Sequence, residues 1–349
     1  MKYPEEDTAK QLQQELVERF DSRNTVISLT GRGVHWKYLT ERGNSECSIA
    51  CLHLLAREYI PQYCTAFVRK GDTLAIGRTT SRDETIDSVA DWLDGMDTAY
   101  LHSKYDFVDR TKRALTKIRD AIKAEVPDLR DISNTTLHCH AGDIYSLRFR
   151  LDDRSCEVSF YGTNEHPDAK FSWDECHLFG FRADDISQLT AVLENWLCFR
   201  STPSSMRVNF PWLQIGELAD YYENGSPIEG EFIQSWDRIE DFYKEDWCKF
   251  SDSVLALIRA MRDAGYDRLL RAGQSMSSLG LSRARRHGLT RDQHRLWFHF
   301  HNSVMDVHAD FSDPGLKNHP LEFTDDVQKL VKTLASYDIE YRPTRRDDE

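Results

Sequence analysis

The sequence predicts an α+β protein: antiparallel β-meanders, each backed by one helix, with a helical insert ahead of the last meander. Three observations predict it. Apolar and polar residues alternate with a period of two at Tyr145–Leu151 and at Leu296–Phe300, the pattern of half-buried strands. Each stretch leads through a turn and a returning strand to an Asp-capped segment whose apolar residues recur every three or four positions. Parts of the chain also resemble one another when shifted. A shift of 149 places Leu147, Phe149 and Val158 on Leu296, Phe298 and Val307. One of 141 places Asp184, Asp185, Ile186, Leu189 and Leu193 on Asp325, Asp326, Val327, Leu330 and Leu334. A shift of 104 places Leu74, Arg78, Trp92 and Leu93 on Leu178, Arg182, Trp196 and Leu197. Duplication of a meander-plus-helix unit explains these matches, and so does the general likeness of any hairpin followed by a capped helix.

The elements follow in order. Leu12, Leu16, Val17 and Phe20 make one face of a helix over Thr8–Phe20. Thr25–Leu29 and Val34–Leu39 read as strands around a glycine-marked turn. Asn44 or Ser45 can cap a helix through about Glu58. Cys64–Val68 and Thr73–Ile76 form a hairpin turned by Lys70, Gly71 and Asp72, followed by helices near Asp83–Leu93 and Asp106–Ala124, and Pro127 closes a first domain, 1–127. In 128–205, Tyr145–Leu151 turns at Asp152, Asp153 and Arg154 into a strand with Val158 and Phe160. His177–Phe181 adds a further strand, and Asp184 or Asp185 caps a helix carrying Ile186, Leu189, Val192, Leu193 and Trp196. Residues 206–290 read as helices over Leu213–Arg271, two of them separated by Pro227 and Gly230, ending in a basic loop. In 291–349, Leu296–Phe300 turns at Asn302 and Ser303 into Val304–Phe311, and Thr324, Asp325 and Asp326 cap a last helix with Val327, Leu330, Val331 and Leu334.

The chain has 349 residues, with 45 Lys and Arg against 58 Asp and Glu, a formal net charge of -13. That length allows two or three domains with cores of their own. The negative balance repels nucleic acid and anionic membrane over most of the surface and favours a basic protein partner. The longest uncharged stretches, such as Cys47–Ala56, fall far short of a membrane span, and Met1–Gln14 has no signal-peptide hydrophobic region, so a cytoplasmic protein is expected. Eight cysteines without a CxxC pair read as reduced thiols.

One segment departs from the acidic balance. Arg268–Arg291 holds Arg268, Arg271, Arg283, Arg285, Arg286, Arg291 and His287 with no acid among them. Ser282 and its neighbouring serines and glycines supply hydroxyls and flexible amides. Such groups surround phosphate or carboxylate oxygens, so the segment is a candidate site for an anion or an acidic partner. The plain alternative is a solvated loop whose arginines pair with acids elsewhere in the fold. Aromatic residues are scarce within the segment, which gives little support to base stacking there.

Two further groups could carry chemistry. On a strand, His138 and His140, or His299 and His301, share a face, and Asp306 and His308 could complete a metal shell with the second pair. Phe298 and Phe300 claim the inward face, which leaves His299 and His301 outward as ordinary strand residues, so no metal and no cofactor are expected. Cys47, in the first turn of the expected helix, would have its thiolate stabilised by the helix dipole, and its Cys-x-x-Ala context resembles that of papain-like folds. That resemblance implies a cysteine-dependent hydrolase with His138 or His140 as base and Asp143 beside it. No upstream glutamine supplies an oxyanion hole, and Glu46 opposes the thiolate. Cys47 and Cys51, four apart, equally suit a buried helix face.

The paired acids at 152–153 and 184–185 belong to turns and caps. GxGxxG, GxxxxGK[ST], HExxH and GxSxG do not occur. The expected function is therefore a non-catalytic cytoplasmic interaction protein of bacterial type that binds another protein as an immunity, antitoxin or defence protein would. The alternatives are binding of nucleic acid or a phosphate ligand through 268–291, and hydrolysis through Cys47. Nothing in the sequence sets the oligomeric state.

Overall fold

The structure, a computed structural model, describes all residues except 1–3, 21–24, 31–32, 41–42, 56–58, 127–135, 142–143, 161–165, 246–250, 287–292, 302 and 340–349. The chain divides into two compact units, Met1–Ser201 and Thr202–Glu349.

In the first unit, helix α1 (Pro4–Phe20) precedes five strands, β1 (Thr25–Thr30), β2 (Gly33–Thr40), β3 (Gly43–Leu55), β4 (Tyr59–Arg69) and β5 (Asp72–Thr79), and then α2 (Arg82–Leu93), α3 (Thr98–Lys104) and α4 (Arg110–Glu125). A second meander follows: β6 (Thr136–Ala141), β7 (Ile144–Leu151), β8 (Arg154–Ser159), β9 (Asp168–Trp173) and β10 (Cys176–Arg182), closed by α5 (Ile186–Leu197). The second unit has α6 (Pro203–Asn209), α7 (Leu218–Glu223), α8 (Pro227–Tyr243) and α9 (Ser251–Asp263), a third meander of β11 (Arg271–Ser275), β12 (Ser278–Ser282), β13 (Arg295–His301), β14 (Val304–Ala309) and β15 (Ser312–Pro320), and then α10 (Asp325–Ala335).

All three sheets are antiparallel and hold their strands in sequence order, so the expected α+β architecture of meanders backed by helices, with α6 to α9 inserted, is the one observed. Of the expected caps, Asp185 accepts from the Ser187 amide, while Thr324 precedes α10 without a side-chain cap bond. Ser81, before α2, accepts from the Glu84 amide. Helix α4, before the expected boundary at 127, packs on β7 and α5 of the second meander.

Four expectations need correction. The basic loop expected to end the helical region forms strands β11 and β12, paired from Arg271 with Ser282 to Ser275 with Ser278, so the third meander begins before residue 291. The helix expected from Asn44 or Ser45 to Glu58 is strand β3. Ser45, Cys47, Ile49 and Cys51 are buried while Glu46 and Ser48 are less so, and β3 is hydrogen-bonded to β2 on one side and β4 on the other. Its period is two, and the four-residue spacing of the cysteines is a multiple of it. Gly230 does not separate helices. It lies in the first turn of α8, where a Cβ would stand 2.5 Å from Tyr221 Cβ, so its missing side chain lets α7 and α8 approach. The shift of 149 does not pair corresponding parts, and that of 141 lays α5 on α10 two residues out of step at their starts, with Leu193 and Leu334 both fully buried. The first puts strands two and three of the second sheet on strands three and four of the third. The second puts exposed Ile186 on fully buried Val327.

The shift of 104 does pair corresponding parts. It carries α2 onto α5 end for end, Phe67 onto Phe171 and Val68 onto Ser172. Trp92 donates its indole N–H to the Val68 carbonyl (3.2 Å), and Trp196 donates to the Ser172 carbonyl (3.3 Å). Both indoles are fully buried and each clamps its closing helix to its sheet.

Two edge strands, β5 and β11, have backbone groups taken up by neighbouring segments, which limits pairing with other chains there. Along β5, the Asp109 amide donates to the Ile76 carbonyl (2.7 Å), and the Ile76 amide donates to Asp109 Oδ1 (3.0 Å). Along β11, the Ala272 amide donates to Ser235 Oγ on α8 (2.9 Å).

Candidate functional site

The third sheet sorts its residues by alternation. Leu279, Leu281, Leu296, Phe298, Met305 and Val307 are at most 1% exposed and face the core with α9 and α10. Their neighbours face the other way, and register places them in rows. Arg271 lies opposite Ser282, which lies opposite Arg295. Gly273 lies opposite Gly280, then Trp297, then His308, and His299 lies opposite Asp306.

On this face a cleft with about 440 Å³ of free space, open to solvent, is lined by Arg271, Gly273, Gln274, Gly280, Ser282, Arg286, Arg295 and Trp297, together with Leu281 and Ala284. Three arginines, from β11, from the segment after β12 and from β13, are thus among the residues that line one opening. Arg295 is about one-third exposed and lies 4.0 Å from Asp310.

The predicted arginines take three different roles. Arg285 is buried, and its Nε and Nη2 donate to Glu231 Oε1 at 3.0 and 2.8 Å. The Tyr222 hydroxyl donates to the same oxygen at 2.5 Å. Arg283 donates to the carbonyls of Tyr337 (2.8 Å) and Leu269 (2.5 Å), and burial lowers its pKa. These two are structural cations, which corrects their assignment to the anion site. Arg268 is an exposed partner of Glu229 at 3.2 Å. Arg271, Ser282 and Arg286 do line the cleft. Arg271 Nη1 donates to the Arg285 carbonyl (2.7 Å), and Arg286 Nε lies 3.8 Å from Glu231. His287 and Arg291 lie outside the described residues.

The segment's lack of aromatic residues does not extend to the cleft, because Trp297 reaches it from β13. Gly273 and Gly280, among the glycines of the basic segment, also line it, whereas sequence reasoning did not assign Arg295, Trp297 or Gln274 to the site. The signal was present in the alternation that turns Leu296 and Phe298 inward, since it turns Arg295 and Trp297 outward.

Beside the cleft, Ser278 Oγ and His299 Nδ1 share a hydrogen bond of 2.8 Å, the rings of His299 and His308 lie 5.3 Å apart, and His301 Nε2 is 3.7 Å from Asp306. Burial lowers the His299 pKa, the neighbouring His308 and His301 lower it further, and Asp306 opposes them. Among the described residues no group of three or more His, Cys, Asp or Glu is arranged to hold a metal ion. The side chains of His138 and His140, on β6, lie outside the described residues.

Cys47 sits in mid-strand, opposite Trp36 and Phe67, and is 2% exposed. Burial raises its pKa well above the ordinary thiol value, the reverse of what a nucleophile needs. Without the helix, the dipole argument for a hydrolase has no basis. In the folded protein at pH 7, Cys47 is expected to resist iodoacetamide for hours and to react only after denaturation, as read by peptide mass mapping. Labelling of Cys47 in the native protein faster than free cysteine would restore the hydrolase reading.

Comparison of the chain with models of protein families, with curated proteins and with solved structures finds no match. Among the described residues no helix is long and apolar enough to cross a membrane.

Proposed function

We propose that the chain is a non-catalytic binding protein of the cytoplasm whose recognition site is the cleft on the third sheet, taking an anionic group of its partner or ligand. The carrying observation is the convergence of Arg271, Arg286 and Arg295 on one opening in a chain of net charge -13. Guanidiniums bind carboxylate and phosphate through charge-assisted, often bidentate hydrogen bonds. Among the described residues the cleft's arginines are confined to Arg271, Arg286 and Arg295, which suits a single anionic group better than the continuous basic groove that a nucleic-acid backbone follows.

Calorimetric titration of the full chain with inorganic phosphate tests this. Saturable binding is expected at low salt, weakening with added sodium chloride. Arg295→Glu is expected to weaken it about tenfold or more, since it removes a charged donor and adds a repelling carboxylate. No saturable binding, or binding indifferent to Arg295→Glu, would sink the proposal.

The net charge of -13 supports a second reading, an immunity- or antitoxin-type protein that neutralises a basic partner through its acidic surface. A stoichiometric protein complex that forms equally well with Arg295→Glu would carry that reading in place of the first.

A further inference from the structure

The geometry points to an aromatic anion as the occupant of this cleft: a ligand that stacks a flat ring on Trp297 and places a phosphate among the arginines, the chemistry of a nucleoside monophosphate. This rests on the reading of the cleft as an anion site and goes further by naming what the anion is attached to.

The first observation is how the indole lies. A Cβ on Gly280 would stand 2.7, 2.9 and 3.0 Å from Trp297 Cζ3, Cη2 and Cε3. An edge-on approach to Cζ3 would leave its two neighbours clearly farther away than Cζ3 itself. Three nearly equal distances mean that the glycine points along the ring normal. The indole therefore lies face down on Gly280, and its other face looks away from the sheet. Any side chain at 280 would lift it.

The second is the floor beside that ring. Gly273 faces Gly280 across the β11–β12 pair, and a Cβ there would meet nothing within 4 Å. Two glycines side by side thus leave one position covered by the indole and the next open. The third is the placement of charge. Arg295 precedes Trp297 by two residues on the same strand face, about 6.6 Å at roughly 3.3 Å per residue. That spacing is comparable to the separation of base and phosphate in a nucleoside monophosphate. Arg271 lies in the same row as Arg295, across Ser282. Gln274, in the lining, offers a hydrogen-bonding side chain to the ligand.

A bare phosphate would leave the indole face unused, and an aspartate or glutamate side chain brings no ring. A flat ring joined to a phosphate uses both halves of the cleft.

The test compares three probes on the full chain by calorimetry: AMP, inorganic phosphate and adenosine. AMP is expected to bind about fivefold or more tighter than phosphate, since stacking on an aromatic side chain contributes about 1–3 kcal/mol. Adenosine is expected to be weaker than AMP. Trp297→Leu should bring AMP down to the level of phosphate and leave phosphate unchanged. AMP binding within about threefold of phosphate in the unaltered chain overturns this inference and leaves the anion reading standing. Failure of all three probes overturns both, and adenosine binding as tightly as AMP overturns the role of the arginines. If Trp297→Leu does not fold, nuclear Overhauser contacts between the adenine protons and an indole of the unaltered protein decide the point. Their absence at saturating AMP counts against the stacking.

Discussion

Replacing Arg154 by alanine is expected to destabilise the chain by about 3–5 kcal/mol, one of the two largest single-residue effects in the structure. Arg154 opens β8 and is 2% exposed. Its guanidinium lies between two indoles, 4.2 Å from each of Trp173 and Trp196, and Nη1 donates to the carbonyls of Trp196 (3.1 Å) and Ser201 (2.7 Å) at the end of α5. One side chain thus caps the helix C-terminus, joins it to the sheet and fills the space between two rings. Burial pulls its pKa down to about 10, so it remains a cation at pH 7. Loss of the side chain strands two carbonyls at about 1–3 kcal/mol each and removes cation–π contacts of about 0.5–2 kcal/mol. These contributions overlap and sum to less than their total. Arg154→Lys keeps the charge but loses the planar fork, so about half the loss is expected. The measurement is the urea midpoint of the full chain with its slope. A shift worth less than about 1 kcal/mol for Arg154→Ala would show that the guanidinium does not hold α5 to the sheet.

Glu231→Gln in the second unit is expected to cost a similar amount, about 3–5 kcal/mol, because it leaves the Arg285 charge buried without its counter-ion. Glu231 is 6% exposed and Arg285 7%. The pair, with the Tyr222 hydroxyl, ties α8 and α7 to the segment after β12. The same reasoning gives a control. Replacing both partners with apolar residues, Glu231→Leu with Arg285→Met, is expected to recover most of the loss, since neither charge then lacks a partner. Tyr222→Phe removes a single hydrogen bond and should cost about 1 kcal/mol. If Glu231→Gln shifts the urea midpoint no more than Tyr222→Phe does, the network is not holding these segments together. Because Arg286 lies beside Glu231 and also lines the cleft, Glu231→Gln is best read for stability alone.

These two arginines show how the reading of the basic segment changes in three dimensions. In sequence, Arg283 and Arg285 cannot be told from Arg271 and Arg286. Glu231 and Tyr222 are 54 and 63 residues from Arg285, and no local pattern links them. Side-chain alternation does not help either, because the segment leaves β12 after Ser282 and enters irregular backbone. The reverse holds for Arg295 and Trp297, whose outward direction follows from the alternation of β13 and whose importance appears only when β11 and β12 bring two glycines and two arginines beside them.

Local chemistry was sufficient for most elements. Alternation over Tyr145–Leu151 and Leu296–Phe300, turn residues at 152–153, and the cap at Asp185 follow from side-chain size, pleat geometry and orphan helix amides, all short-range causes. The central hairpins of the second and third meanders and the closing helices are therefore decided by the sequence itself. Strand β3 is where short-range causes are ambiguous: Cys47 and Cys51 fit a helix face or a strand face, and pairing with β2 and β4 along both edges selects the strand. Polar strands such as β9 and β15 escape notice for the same reason, since pairing and not apolar content holds them. Which arginines are structural, where the cleft lies, and that Trp297 rests on Gly280 are decided by tertiary structure alone, because each depends on contacts between residues far apart in the chain and close only across paired strands or packed helices.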